Sequence, residues 1–249
     1  MSGIVFERVS HAFDGRRVVD SVSLELTERR VGIVGANGSG KSTLARMING
    51  LVEPDSGRVL VDGLDVATQG REVRRRVGFV FTNADTQIVM PTVREDVAFT
   101  LRRHRLPRAE ADGRVDAALA RFGLTELADR PAHRLSGGQK QLLALASVLV
   151  GHPAVVVADE PTTLLDARNA RRVARHLAAL DEQLVVVSHQ LELLEDFDRI
   201  IVMDGGRVVC DDVPAAALPR YRAIIDADDA DETDAGRDAG PDAVERTGR

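Results

Sequence analysis

The sequence has one cysteine, Cys210, no tryptophan, and only two lysines, Lys41 and Lys140, among 33 basic residues. A single cysteine excludes a disulfide framework and a cysteine-rich metal site, and it points to a reducing compartment. Long apolar runs are also missing. The longest, such as residues 154–158, fall far short of the ~20 residues a bilayer-spanning helix needs. The first residues, MSGIVFERVS, carry no basic-then-apolar leader pattern. These features predict a soluble chain, one still able to dock on a membrane protein. An excess of positive charge is absent too. The formal net charge is −6, and nine acidic against three basic residues from Asp226 onward account for it. The rest is neutral, which gives no electrostatic support for nucleic-acid binding. The arginine clusters at 74–76 and 102–108 read as solvated faces.

At 249 residues and 44% hydrophobic, the chain can bury the core of one large domain or two small ones. Its most informative stretch is GANGSGKST, residues 35–43. An apolar run at 31–34 precedes it, and Leu44, Met47, Ile48 and Leu51 follow at helical spacing. Gly35, Gly40, Lys41 and Ser42 occupy the fixed positions of a phosphate-binding loop. Glycines let the backbone curl so that several N–H groups face one anion. The following helix adds the positive end of its dipole. Lys41 can reach the outer phosphates as a compact charge, and the Ser42 hydroxyl can ligate Mg²⁺. This stretch predicts binding of a nucleoside triphosphate without fixing the class of protein.

The remaining chain predicts an antiparallel sheet before the loop, from the alternation at 4–9 and 22–26 around the turn Asp14-Gly15. Phe13, just before that turn, suits either a core position or stacking on a base. A strand is expected at 78–81, then a polar loop through Pro91. Thr92 and Glu95 form a capping box, and a second helix is expected over about 108–122. Residues from about 84 to 150 thus read as wholly helical. Ser136 and Gln139 in LSGGQ are spaced as a second capping box. Such a box does not require Gly137 and Gly138, which cost helix stability. Paired glycines at a helix start expose bare amides suited to a phosphate. The β-branched run at 154–158 delivers Asp159 and Glu160 to the edge of a parallel sheet, where ligands bind in such folds. Asp159 is placed to hold Mg²⁺ and Glu160 to polarise a water as general base. Asp166 fits a helix cap. His189 follows another buried strand toward the same edge, where it can contact a γ-phosphate. Residues 199–203 and 207–210 form a hairpin across Asp204-Gly205-Gly206. A short helix over 214–225 closes the body, and the acidic stretch 226–249 is expected to be disordered.

In this order the motifs resemble the ATP-binding-cassette ATPases over residues 1 to about 225. The phosphate loop comes first, then LSGGQ, the acidic strand, a D-loop at Asp166 and a switch histidine at His189. The resemblance implies an α/β fold: a RecA-like core, an antiparallel β subdomain and an inserted helical subdomain at about 84–150. It implies ATP as substrate, with Mg²⁺. Phe13 would stack on adenine, and the whole loop would bind the phosphates: Gly35, Ala36, Asn37, Gly38, Ser39, Gly40, Lys41, Ser42 and Thr43. Two copies, or this chain and a related ATPase, would form a head-to-tail dimer. ATP would then lie between one copy's loop and the other's Ser136, Gly137, Gly138 and Gln139. Glu160 and His189 would be catalytic, and Asp166 would couple the two sites. The family usually places a glutamine directly after the strand ending at Phe81. Here that position is Thr82, and Gln87 follows five residues later; both fall in the loop that would face a membrane partner. The D-loop, TLLD, also departs from the usual small residue and glycine.

The stretch FTNADTQIVMPTVREDVAF is similar to energy-coupling-factor transporters, which import vitamins and cobalt or nickel ions. Together with EPTTLLDARN and LELLEDFDRI it most resembles their biotin-uptake ATPase subunits. That resemblance implies a place on the cytoplasmic face of the membrane. The partners would be an integral coupling subunit and a small substrate-binding membrane subunit, with no nucleic acid. Alternatives are a cobalt, nickel or other vitamin importer, and a conventional importer. From other classes come a soluble cassette ATPase acting on nucleic acid or ribosomes and a non-hydrolysing regulator.

Overall fold

The computed structural model describes residues 3–237. Strands β1 (Ile4–Phe13) and β2 (Arg16–Leu26) form a hairpin. Asp14 and Gly15 both sit at positive φ, 49° and 79°, the backbone a two-residue hairpin turn requires. β1 also pairs with β4 (Ser56–Val61), and β4 with β5 (Leu64–Asp65), giving an antiparallel sheet in the order β2-β1-β4-β5. The second sheet runs β10-β9-β3-β8-β7-β6. Its members are β3 (Arg30–Gly35), β6 (Val77–Val80), β7 (Val155–Asp159), β8 (Gln183–Val187), β9 (Arg199–Asp204) and β10 (Arg207–Asp212). All are parallel except β10, which returns from β9 as the expected hairpin.

The parallel strands are buried on both faces, which is why they read as unbroken β-branched runs. Successive side chains alternate between two cores. Val31, Ile33, Val155, Val157, Val185 and Val187 join helix α1 (Lys41–Met47) and the antiparallel sheet. Val34, Val156, Ala158, Leu184 and Val186 face the opposite core. There they pack with α3 (Val93–Leu101), α4 (Arg108–Phe122), α5 (Gly137–Leu149), α6 (Ala167–Ala178) and α7 (Pro214–Arg237). Between residues 84 and 150 the described elements are helices and short 3-10 turns, with one isolated bridge from Thr92 to Pro131.

Three local features differ from the sequence reading. The helix after the phosphate loop stops at Met47 instead of reaching Leu51. Gly50, at φ 72°, turns the chain out, the Leu51 amide donates back to the Arg46 carbonyl at 3.0 Å, and Leu51 is left exposed. Residues Gly70–Arg76 form a short helix, α2, with Val73 as its one buried residue. So brief an apolar pattern is no helical signal. The closing helix α7 extends past residue 225 to Arg237. The rest of the expected disordered tail, 238–249, lies outside the described residues.

Candidate active site

The phosphate loop joins the end of β3 to α1. Gly40 adopts φ 94°, and a Cβ there would sit 2.1 Å from the Val18 carbonyl oxygen, so hairpin β1–β2 presses the loop from outside. A Cβ on Gly35 would meet the Ser39 hydroxyl at 2.5 Å and the Met203 carbonyl at 2.4 Å. Glycine at these positions therefore answers close packing as well as anion access. Lys41 is buried, and its Nζ donates to the Ala36 carbonyl at 3.1 Å, so the ammonium folds back over its own loop.

Asp159, at the end of β7, is 1% exposed and fully engaged. The Ser42 hydroxyl donates to its Oδ1 at 2.8 Å and Arg46 Nη2 to its Oδ2 at 3.0 Å. The Thr82 hydroxyl donates to its backbone carbonyl at 2.8 Å. Thr82 thus fixes the strand end that carries the aspartate. Gln87 is elsewhere: its amide bridges the Phe81 N–H and the Phe79 carbonyl, both at 3.2 Å, along the edge of β6. The two residues that the sequence left as alternatives for one role therefore do different things.

Glu160 leaves the strand at φ 51°, the left-handed region that costs a non-glycine residue roughly 1–3 kcal/mol. Its amide donates to the Val187 carbonyl at 2.9 Å. Its Oε2 accepts from the Thr163 hydroxyl at 2.8 Å, and His189 Nδ1 lies 2.8 Å from the same oxygen. The His189 side chain is half-exposed, so the imidazole flanks the carboxylate at the open rim of the site. No other hydrogen bond falls on Glu160 Oε1 among the described residues. The loop bearing His189 is itself anchored, since Thr162 donates to Gln190 Oε1 at 2.9 Å and the Gln190 amide donates to Ser188 Oγ at 3.0 Å. Phe13, at the tip of β1, is 51% exposed and stacks edge-on with His11, 4.6 Å between centroids. It is a surface platform, not a core residue.

At the head of α5 the Ser136–Gln139 capping box is complete. The two glycines inside it have different surroundings. Gly137 has open space where a Cβ would point, whereas a Cβ on Gly138 would lie 2.3 Å from Asn169 Cγ and 2.8 Å from its Cβ. Asn169 is held by Asp166, the cap of α6, through bonds of 2.9 and 2.7 Å. These amide donors hold the Asp166 carboxyl below its ordinary value. Gly138 is thus explained by packing inside the chain, and Gly137 alone presents a bare surface.

The loop at 82–92 is tied down by residues that sequence reasoning passed over. Asp96, buried in α3, accepts from the Val89 and Met90 amides at 2.8 and 3.0 Å and from Ser147 at 2.8 Å. Gln141 donates to the Phe81 carbonyl at 3.2 Å, and Lys140 pairs with Asp85 at 2.6 Å. A groove lined by Phe79, Gln87, Val89, Asp96, Phe99 and Arg103 opens beside them. The sequence offered one signal for Asp96, a carboxylate on the apolar face of a predicted helix; Arg46 and Asn169 had none.

The family described as ABC transporter matches residues 19–163. A biotin transport ATP-binding protein, BioM, of Rhizobium etli is 45% identical, covering 89% of this chain and 98% of its own. The energy-coupling factor transporter ATP-binding protein EcfA1 of Bacillus subtilis is 42% identical, covering 84% of this chain and 77% of its own. The structure of cbiO1 from Clostridium perfringens, described as part of the ABC transporter complex cbiONQ, superposes with a TM-score of 0.78. That match is at 32% identity and covers 90% of this chain and 93% of the other. With a phosphate loop, a buried aspartate and a strained glutamate gathered at one sheet edge, the chain belongs to the ABC transporter family, as an ATP-hydrolysing subunit of the energy-coupling-factor type.

Proposed function

We propose that this chain powers a biotin importer of the energy-coupling-factor type from the cytoplasmic face of the membrane. One observation carries the hydrolytic part: Lys41, Ser42, Asp159, Glu160 and His189 converge at the C-terminal edge of the parallel sheet. The loop amides and Lys41 receive the β- and γ-phosphates, Lys41 exchanging the Ala36 carbonyl for phosphate oxygen. Phe13 offers its exposed ring to the adenine.

The donor set fits Mg²⁺. Ser42 Oγ and Asp159 Oδ1 are hard oxygen ligands 2.8 Å apart, and Mg²⁺ bound with nucleotide takes one or two protein oxygens beside phosphates and water. Bound there, the ion would neutralise phosphate charge. Glu160 accepts the proton of the attacking water on Oε1, while Oε2 stays tied to Thr163 and His189. His189, half-exposed beside Glu160, contacts the γ-phosphate. A second subunit, a copy of this chain or a related ATPase, completes each site with its own Ser136, Gly137, Gly138 and Gln139. Asp166 reports one site to the other, and the groove containing Gln87 receives a segment of the membrane coupling subunit.

Biotin is supported by relatives named for biotin transport; no residue of an ATPase subunit touches the cargo. The test is purification of the tagged chain from gently solubilised membranes of its own host. A small biotin-binding membrane protein and one coupling subunit should co-purify. A cobalt or nickel partner would change the substrate, and a conventional permease pair would sink the energy-coupling-factor reading of the partners.

A further inference from the structure

Two arginine runs that are distant in sequence meet beside the groove. Helix α2 contributes Arg71, Arg74 and Arg75, and the turn after α3 contributes Arg102, Arg103 and Arg105. All six are exposed. Nearby arginines are matched: Arg76 pairs with Asp62 at 3.3 Å and Arg114 with Glu110 at 2.8 Å. Among the described residues none of the six makes an ion pair, although Glu72 lines the same hollow. Arg103 donates instead to His104 at 3.4 Å. Partial desolvation by its neighbours, then the charge of Arg75, makes Arg103 a weaker base than usual although much of its side chain still faces water. Burial followed by Arg103, Arg114, Arg75 and His152 pulls His104 down as well. The sequence presents these clusters as two separate solvated faces; the fold fuses them into one strongly cationic hollow with Glu72 as its one carboxylate.

An anion must match it, and guanidinium groups bind phosphates as bidentate forks. Three observations select the source. Arg74 and Arg103 also line the groove, so the hollow continues the face proposed to meet the membrane subunit. Exposed apolar groups adjoin it: Val89 is 61% exposed and Phe99 43%, with the Arg102 guanidinium 5.2 Å above the Phe99 ring. Cations beside an exposed aromatic suit a headgroup layer. Finally, six arginines against the single Glu72 give the hollow the charge sign that the anionic cytoplasmic leaflet attracts. We propose that the hollow formed by α2 and the turn after α3 docks anionic phospholipid headgroups, holding this face of the ATPase against the bilayer. The inference rests on the chain's place in a membrane transporter and not on the identity of the cargo.

The test uses the purified full chain with vesicles of phosphatidylcholine alone or mixed with phosphatidylglycerol, read by co-sedimentation. The wild type should bind only the anionic vesicles. Each arginine near such a surface contributes about fivefold to partition, so the double variant Arg75→Glu/Arg103→Glu should lose at least ~20-fold. A charge-matched pair on α6, Arg171→Glu/Arg175→Glu, should lose far less, and retained ATP binding certifies both folds. Equal binding to neutral vesicles, wild-type partition by the double variant, or an equal loss in the control pair would each overturn the proposal. So would unchanged vesicle binding together with loss of a co-purifying membrane protein, which would assign the hollow to an acidic protein segment. Vesicle binding by a chain that captures no membrane partner would keep the lipid site and remove the importer reading.

Discussion

Replacing each glycine of the signature by alanine separates packing from recognition. In Gly138→Ala the new methyl lies 2.3 Å from Asn169 Cγ and 2.8 Å from Asn169 Cβ. The Cβ belongs to α6 and cannot swing aside, and rotating the amide breaks its 2.7 Å bond to Asp166. Overpacking of this kind costs about 1–3 kcal/mol. Relief of glycine's helix penalty returns up to about 1 kcal/mol. The net is a loss of up to about 3 kcal/mol, or up to ~12 °C in Tm for a chain of this size. Gly137→Ala meets nothing within 4 Å, so its Tm should hold or rise slightly, while hydrolysis falls if its bare amide receives the partner's nucleotide. Thermal unfolding of Gly138→Ala, Asn169→Ala and the double variant decides it. The double variant should be more stable than the two single losses added together, because Asn169→Ala removes the clashing atoms beyond Cβ. Additive losses, or a Gly137→Ala as unstable as Gly138→Ala, would refute the packing account.

Glu160→Gln should keep ATP binding and lower kcat by about 10²–10⁴, the usual range for a general base; phosphate release under saturating ATP measures it. Arg46→Met leaves the buried Asp159 carboxylate without its cation, 3.0 Å away. Stability should fall by about 1–3 kcal/mol, less than for a fully buried pair because Arg46 is half-exposed, and Mg²⁺ with nucleotide should restore more Tm in this variant than in the wild type. Thr82→Val removes a 2.8 Å bond to the Asp159 carbonyl and should cost about 0.5–1.5 kcal/mol in urea unfolding. The Asn169 amides hold the Asp166 carboxyl below the ordinary aspartate range in the folded chain, so its stabilising share is fully present above that range and is lost as pH falls through the folded value. Asp166→Asn should therefore flatten the acid limb of a Tm-against-pH curve and leave its shape near neutrality unchanged.

The sequence by itself determined the elements whose signal is local. Unbroken β-branched runs such as residues 155–158 had to be strands buried on both faces. Thr92 with Glu95 and Ser136 with Gln139 had to start helices, because each side chain satisfies a neighbour three residues away. The phosphate loop, Asp159, Glu160 and His189 were legible for the same reason: fixed spacing places them after strands of one sheet. Tertiary structure alone decided what depends on partners distant in the chain. It gave Phe13 to the surface, Thr82 to the strand end beneath Asp159, and Gln87 to the edge of β6. It set Arg46 against Asp159 and Asn169 against Gly138. It also turned two arginine runs into one charged hollow. No periodicity encodes such meetings, because they are fixed by how the two cores stack on either side of the parallel sheet.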